Sequence, residues 1–418
     1  MRKLTVKNFS VIKEAELDFG KITVLIGPQS SGKSLLCKLA YFLDREVIGI
    51  AIDRAVNRFE FSDFVAAVQK EFSRWFPQGG WGSENWSITF SSDKYDVTVS
   101  APSASEPTTE STVVFANEFK LAYIKRLEET AETQQKQGFL LAPALRSIAA
   151  TKFMELAGRG VWDNATYIPL ERSYFVDTKK GYRVLGTETD PISANFAVVF
   201  ADSLNPRSPN PRVSKYMKGD LVSRQEGWSL AFHDGRFLPL SHLSSGSKET
   251  LPILAVLDYY EHQRRQSGNL PTQELYGHKL YSFDDFTIEE PEASVFPQTQ
   301  YELVREFYTL ANEVDFQPHF TITTHSPYIL TAFNDLIKAG YIAAERPDRA
   351  SEIEKVIPRQ NWIKPGDFAA YAFDGKDGIL RSILDDESKM INGDILDDIS
   401  SNIADEFGQL LEIQYGGK

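Results

Sequence analysis

Residues 27–34, GPQSSGKS, fit the pattern G-x-x-x-x-G-K-[ST] at every fixed position. Such a run is built to wrap a chain of phosphates. Gly27 and Gly32 let the backbone curl so that successive N–H groups point inward at phosphate oxygens. A helix opening at the end of the loop adds a partial positive charge. Lys33 brings a full positive charge to β- and γ-phosphates, and the hydroxyl of Ser34 is of the right type to ligate Mg²⁺. The expected phosphate contacts are therefore Gly27, Pro28, Gln29, Ser30, Ser31, Gly32, Lys33, Ser34 and Leu35. The context agrees, because an apolar strand precedes the loop and an apolar-periodic helix follows it.

Three later segments add chemistry. FTIEEPE (286–292) reads as a strand ending in two carboxylates, stopped by Pro291. Glu289 suits a role holding Mg²⁺ through water, and Glu290 suits orienting and deprotonating an attacking water. A solvated acidic turn is the plain alternative, since Asp284 and Asp285 lie beside them. In LSSGSKE (243–249), Ser244, Ser245 and Gly246 precede a helix expected from about Lys248. Free N–H groups and hydroxyls there make an anion site, and equally an ordinary N-cap. In TTHSP (323–327), His325 stands between a strand and a helix, within reach of a γ-phosphate or in a purely structural role.

These residues need elements to carry them. Alternation over 2–7 and 15–19 predicts half-buried strands, and the apolar run 22–26 a fully buried one. A helix is expected over 33–43. Between 55 and 165 the character changes: a helical stretch over 61–72, two strands at 86–90 and 95–99, a polar loop at 101–112 and helices over 117–135 and 143–157. This block reads as an inserted α+β lobe, with no heptad repeat long enough for a coiled coil. TYIPL (166–170) returns to the core, 201–224 reads as a loop, and 228–232 with 237–240 as a hairpin. Helices at 248–264 and 298–314, strands at 283–288 and 319–324, and a strand at AYAFDG lead to an acidic helical tail over 379–413. The expected fold class is α/β. Its divisions are an ATPase-like core in two parts (1–54 and 166–345), the lobe 55–165, and a C-terminal segment 346–418.

Composition narrows the partners. The 418 residues carry a net charge of -13, which disfavours general coating of nucleic acid. The candidate exception is the loop 201–224, with Arg207, Arg212, Lys215, Lys218 and Arg224 against Asp202 and Asp220; simple solvation is its alternative. The longest apolar runs are strand-length, well short of the roughly 20 residues of a bilayer span, so no membrane partner is expected. MRKLTVKNF has no secretory h-region. The single cysteine, Cys37, excludes an intrachain disulfide, reads as a small buried hydrophobe and suits a reducing cytoplasm.

Taken in order and spacing, the four segments resemble the ABC-type ATPases of the SMC, RecF and OLD-like group, over about residues 1–50 and 165–335. The resemblance implies a mixed sheet with antiparallel N-terminal strands, ATP and Mg²⁺ as ligands, and a homodimer or higher homo-oligomer closing around nucleotide. By it, Gly27 to Ser34 are Walker A and Glu289 and Glu290 Walker B. Ser244, Ser245 and Gly246 stand as the signature, His325 as the switch histidine, and Arg172 in YIPLERS either near the nucleotide or in a structural salt bridge. This sequence departs from the pattern in LSSGS for LSGGQ, in Glu rather than Asp at 289, and in Ser at 294 where His is frequent. No Asp-x-Asp pair follows residue 326, so a C-terminal Toprim nuclease is not expected. The likeness is to the standalone ATPase subunits of anti-phage systems of the PARIS or Septu type, whose nuclease or toxin effector is a separate protein. A RecF/SMC-like repair ATPase and an ATP-locked scaffold are the alternatives. In the tail, the apolar stripe that begins at Ile391 is expected either to pack on the chain's own core or to dock a basic partner.

Overall fold

The computed structural model describes residues 2–92, 95–102, 111–126, 153, 164–177, 190–205, 208–225, 227–268, 284–313, 318–385 and 389–392. The N-terminal alternation folds as an antiparallel pair, β1 (Lys3–Phe9) and β2 (Ile12–Asp18). The apolar run forms β3 (Ile22–Ile26), all five residues buried. Burial on both sides is what a central parallel strand requires. Leu25 enters one core while Ile22, Val24 and Ile26 enter the other. The expected helix begins at Lys33 as α1 (Lys33–Tyr41), then runs on through one π-helical turn (Phe42–Glu46) into α2 (Val47–Val56).

The block 55–165, expected as an inserted lobe, shares a sheet with the N-terminal strands. After α3 (Phe61–Trp75), strands β4 (Gly82–Ser92), β5 (Tyr95–Ser100) and β6 (Thr112–Phe115) join the N-terminal pair in one antiparallel sheet ordered β2-β1-β4-β5-β6. Leu4 pairs with Phe90 and Val6 with Ile88. The inner face packs aromatic on aromatic: Phe9 meets Trp86 edge-on at 4.9 Å, and Phe72 stacks on Trp86 at 5.8 Å. Phe42, next to α1, meets Phe72 at 5.7 Å, so sheet and phosphate-loop helix share one core. Residues 117–126 are helical as expected; the remainder of that helix, and that expected over 143–157 apart from Phe153, lie outside the described residues.

The second sheet is the α/β part. Its order is β14-β13-β3-β12-β11-β7, with β7 (Asn164–Ile168), β11 (Asp284–Glu289), β12 (His319–Thr324) and β13 (Phe368–Phe373) parallel to their neighbours and β14 (Leu380–Ser382) antiparallel at the edge. The C-terminal segment thus supplies a strand beside β3, and a division at 346 cuts through the core sheet. The all-helical tail is corrected at β14; residues 393–418 lie outside the described residues. Ile391 is buried, and its backbone exchanges two hydrogen bonds with the Asn334 amide, so the stripe's first residue packs on the chain itself. Asp285, which interrupts the apolar run of β11, accepts from the Arg2 guanidinium at 2.9 Å. No helix among the described residues is long and apolar enough to cross a membrane.

Around this sheet lie α4 (Arg172–Asp177), α5 (Pro191–Ser203), α6 (Pro211–Met217), α7 (Ser245–Gly268), α8 (Pro297–Ala311), α9 (Pro327–Glu345) and α10 (Ala350–Val356). The stretch 201–224 is also corrected. It contains α6, opened by Pro211 at a first-turn position where its missing N–H costs nothing, and then β8 (Gly219–Arg224). β8 pairs with β9 (Gly227–Phe232), which forms the expected hairpin with β10 (Phe237–Pro239). Arg212 is buried, donating from Nη1 to Asp258 at 2.8 Å and from Nε to Glu306 at 2.9 Å, with Glu261 closing the cluster. Burial pushes the Asp258 carboxyl up to about 6 even beside Arg212. Lys215 pairs with Glu306 at 3.0 Å; Lys218 and Arg224 stand exposed, and Arg207 lies outside the described residues. Two of the five basic side chains therefore bind α6 to α7 and α8. Removing one partner from a buried ionic cluster leaves uncompensated charge, so Arg212→Met is expected to lower stability by about 3–5 kcal/mol in urea denaturation. A loss below about 1 kcal/mol, within the range of an exposed pair, would contradict a structural role for the cluster.

Candidate nucleotide site

Four neighbouring parallel strands, β3, β12, β11 and β7, end at one edge of the sheet, and the phosphate loop, Glu289, Glu290 and His325 lie at three of those ends. Crevices beyond the carboxyl ends of parallel strands are where α/β folds bind ligands.

The phosphate loop follows β3. Gly27 has φ +152°, and a Cβ there would lie 2.7 Å from the Phe373 carbonyl oxygen. Gly32, the N-cap of α1, has φ +108°, and its Cβ would lie 2.9 Å from Ile12 Cγ1. The loop is thus walled by β13 on one side and the β1–β2 turn on the other, and neither glycine can be replaced without moving a wall. Pro28, Gln29, Ser30 and Ser34 are exposed, Leu35 half-buried, Ser31 buried. The Ser31 hydroxyl has no hydrogen-bond partner among the described residues. The Lys33 ammonium donates to the carbonyls of Gly27 at 2.7 Å and Pro28 at 2.8 Å. Desolvation pulls Lys33 below the usual lysine range, opposed first by the nearby charge of Glu290. A buried ammonium satisfied only by its own loop, beside an orphaned buried hydroxyl, fits a site made for phosphate oxygens.

Glu289 is the last residue of β11, as expected, and buried. Its two oxygens accept from the Tyr167 hydroxyl at 2.8 Å and the Leu170 N–H at 3.0 Å. Each carboxylate oxygen retains a second lone pair, so Glu289 and the Ser34 hydroxyl fit a water-mediated Mg²⁺ site of the kind that also uses substrate phosphates. Glu290 turns out of the strand with φ +40°, its N–H donating to the Thr323 carbonyl at 2.9 Å. This turn brings Glu290 Oε1 to 3.2 Å from His325 Nε2 at the end of β12. Sequence reading passed over Glu292, which accepts from the Thr324 hydroxyl at 2.8 Å and the His325 N–H at 2.6 Å. It also passed over Tyr167. In both, the signal is a tertiary partner, which spacing does not reveal.

The loop 244–246 begins α7 three residues earlier than expected. Ser244 Oγ caps the helix, accepting from the Ser247 N–H at 3.3 Å, and Ser244 and Ser245 are exposed. Gly246 lies against the turn after β11, where a Cβ would come 2.6 Å from the Ser294 carbonyl oxygen. The loop therefore packs on residues 294–295. Arg172 is wholly buried and forms a salt bridge with the Glu249 carboxylate at 3.2 Å, the structural alternative for it. It donates to the carbonyls of Glu249 (2.9 Å), Pro169 (3.1 Å), Glu289 (2.6 Å) and Glu290 (2.8 Å). Cys37 is buried, and burial pushes its thiol up, as a packed hydrophobe requires.

Residues 175–330 match the family model described as AAA ATPase domain. The ATPase domain so matched takes in the 244–246 loop, both carboxylates and His325, and leaves out the phosphate loop. No curated protein matches the chain. Among solved structures, it is similar to an SMC head domain from Thermotoga maritima (12% identity, TM-score 0.40, covering 91% of this chain and 97% of that one). It is also similar to an Smc head domain from Pyrococcus furiosus bound to part of ScpA (11%, 0.36, 92% and 96%) and to the recombination mediator protein RecF (9%, 0.36, 91% and 97%). At that identity and overlap these likenesses decide nothing further. Because Lys33 supplies the full positive charge on the loop itself, Lys33→Ala is expected to abolish ATP binding in a fluorescent-nucleotide titration; affinity near wild type would contradict the phosphate-loop assignment.

Proposed function

We propose that this chain is an ABC-type ATPase of SMC/RecF-like build, which closes as a homodimer or higher homo-oligomer around ATP. We propose further that it is the ATPase and sensor subunit of a bacterial anti-phage complex with a separate effector. One observation carries the ATPase reading: Glu290 and His325, from the ends of adjacent parallel strands, meet at 3.2 Å in the charge field of Lys33. That is a general base beside its orienting partner, next to a phosphate cradle.

The chemistry follows from these groups. The Lys33 ammonium leaves the carbonyls of Gly27 and Pro28 for the β- and γ-phosphates. Ser34 and Glu289 would hold Mg²⁺, which when bound neutralises charge on those phosphates. Glu290 accepts the proton of a water whose oxygen attacks the γ-phosphorus, and the bond to the β-phosphate oxygen breaks to release ADP. His325 keeps Glu290 aimed and offers a donor to the transferred phosphoryl group.

Closure is supported by the exposure of Ser244 and Ser245, whose hydroxyls can meet a second copy's phosphates. Phe296, next to the residues that seat Gly246, is 76% exposed, apolar surface that a partner would cover. The effector reading rests on the resemblance to standalone defence ATPases. A repair ATPase would instead show turnover stimulated by DNA.

Glu290→Gln is expected to bind ATP, slow hydrolysis about 10²–10⁴-fold and accumulate as an ATP-bound dimer in light scattering. Full turnover in Glu290→Gln with loss in Glu289→Gln would reverse the two roles.

A further inference from the structure

Glu292 has no part in the chemistry above, yet it is the best-connected carboxylate of the turn. One oxygen accepts both the Thr324 hydroxyl and the His325 N–H; the other is buried with no partner among the described residues. Burial raises its carboxyl above the usual range, in spite of those two donors. The connections continue around a ring. Thr324 Oγ1 accepts from the Ser326 N–H at 3.0 Å, and the Ser326 hydroxyl donates to Gln300 Oε1 at 2.5 Å. The Gln300 amide donates to the Val295 carbonyl at 2.8 Å, and the Val295 N–H to the Glu292 carbonyl at 2.9 Å. The ring binds the turn after β11 to the turn after β12, with Glu290 and His325 facing each other across it.

We propose that Glu292 is a positioning residue for His325: its carboxylate oxygen fixes the 324–326 backbone so that the imidazole reaches Glu290. This rests on the ATPase reading. The geometry sets the requirement. An acceptor must stand at the end of a glutamate-length side chain, on a turn clamped by Pro291 and by Arg172 at the Glu290 carbonyl. Reach matters, and negative charge does not. A general base, by contrast, needs the charge.

The two are separated by a pair of substitutions. Glu292→Gln keeps reach and an acceptor without charge; Glu292→Asp keeps charge and loses reach. For the full-length chain, kcat and KM for MgATP are measured beside nucleotide affinity and melting temperature. Glu292→Gln is expected to keep kcat within about threefold, whereas Glu292→Asp loses about 100-fold, the cost of roughly 1 Å of misplacement, with ATP affinity unchanged. Combining Glu292→Asp with His325→Ala should cost no more than His325→Ala alone, because both act through one imidazole. If Glu292→Asp does not fold, Thr324→Val decides, since it removes one of the two donors and should lower kcat without altering affinity. Wild-type kcat in the Asp or Val variant, a Gln variant as slow as the Asp one, or additive losses in the double variant each overturn the proposal. A wild-type chain that binds ATP without hydrolysing it overturns the ATPase reading itself.

Discussion

A guanidinium with no exposed surface lies at the centre of this structure. Burying an arginine is costly unless its donors are filled, and Arg172 fills them with main-chain oxygens from three separate places: Pro169 after β7, Glu289 and Glu290 at the end of β11, and Glu249 near the start of α7. The Glu249 carboxylate adds the countercharge at 3.2 Å. Segments almost 120 residues apart in sequence are thereby held to one cation. The backbone at Glu290 sits at φ +40°, a conformation costing on the order of 1–3 kcal/mol that persists only when its surroundings insist on it. Arg172 on its carbonyl and Thr323 on its N–H supply that insistence.

Much else follows from that fixed turn. With Glu290 bent out of β11, its side chain meets His325 rather than continuing along the sheet, while Glu289 stays in register and turns toward Tyr167. The turn's next residues carry the seat for Gly246, so the start of α7 and the carboxylates share a support. Lys33 then faces the combined field of Glu290, Glu292 and Glu289. The edge of the sheet is an acidic wall opposite a single loop lysine, an arrangement that favours a polyphosphate only when accompanied by a cation.

Local patterns were read well where burial is symmetric or motif geometry is strict. β3 and β12 lie where continuous apolar or β-branched runs predict them, and α1 opens at Lys33. Non-local pairing was not legible. Nothing in the strands at 82–115 announces that β4 pairs with β1 as well as with β5, because the alternation is the same whether or not the two groups join in one sheet. A buried arginine is equally opaque: Arg212 among prolines and asparagines reads as loop until three carboxylates from α7 and α8 are seen around it. At the proposed site, type and spacing single out Lys33, Glu289, Glu290 and His325 as candidates. Arg172, Tyr167 and Glu292 act through partners far along the chain.

The direct test of this account is Arg172→Lys, with ATP binding and ATP turnover measured on the same preparation. Lysine keeps the charge but lacks the planar fork that spans four carbonyls. The phosphate loop is untouched, so ATP affinity should stay near wild type while turnover falls by about two orders of magnitude, the penalty for a displaced catalytic turn. Turnover near wild type in a folded Arg172→Lys chain would contradict the claim that this one guanidinium holds the catalytic turn in place.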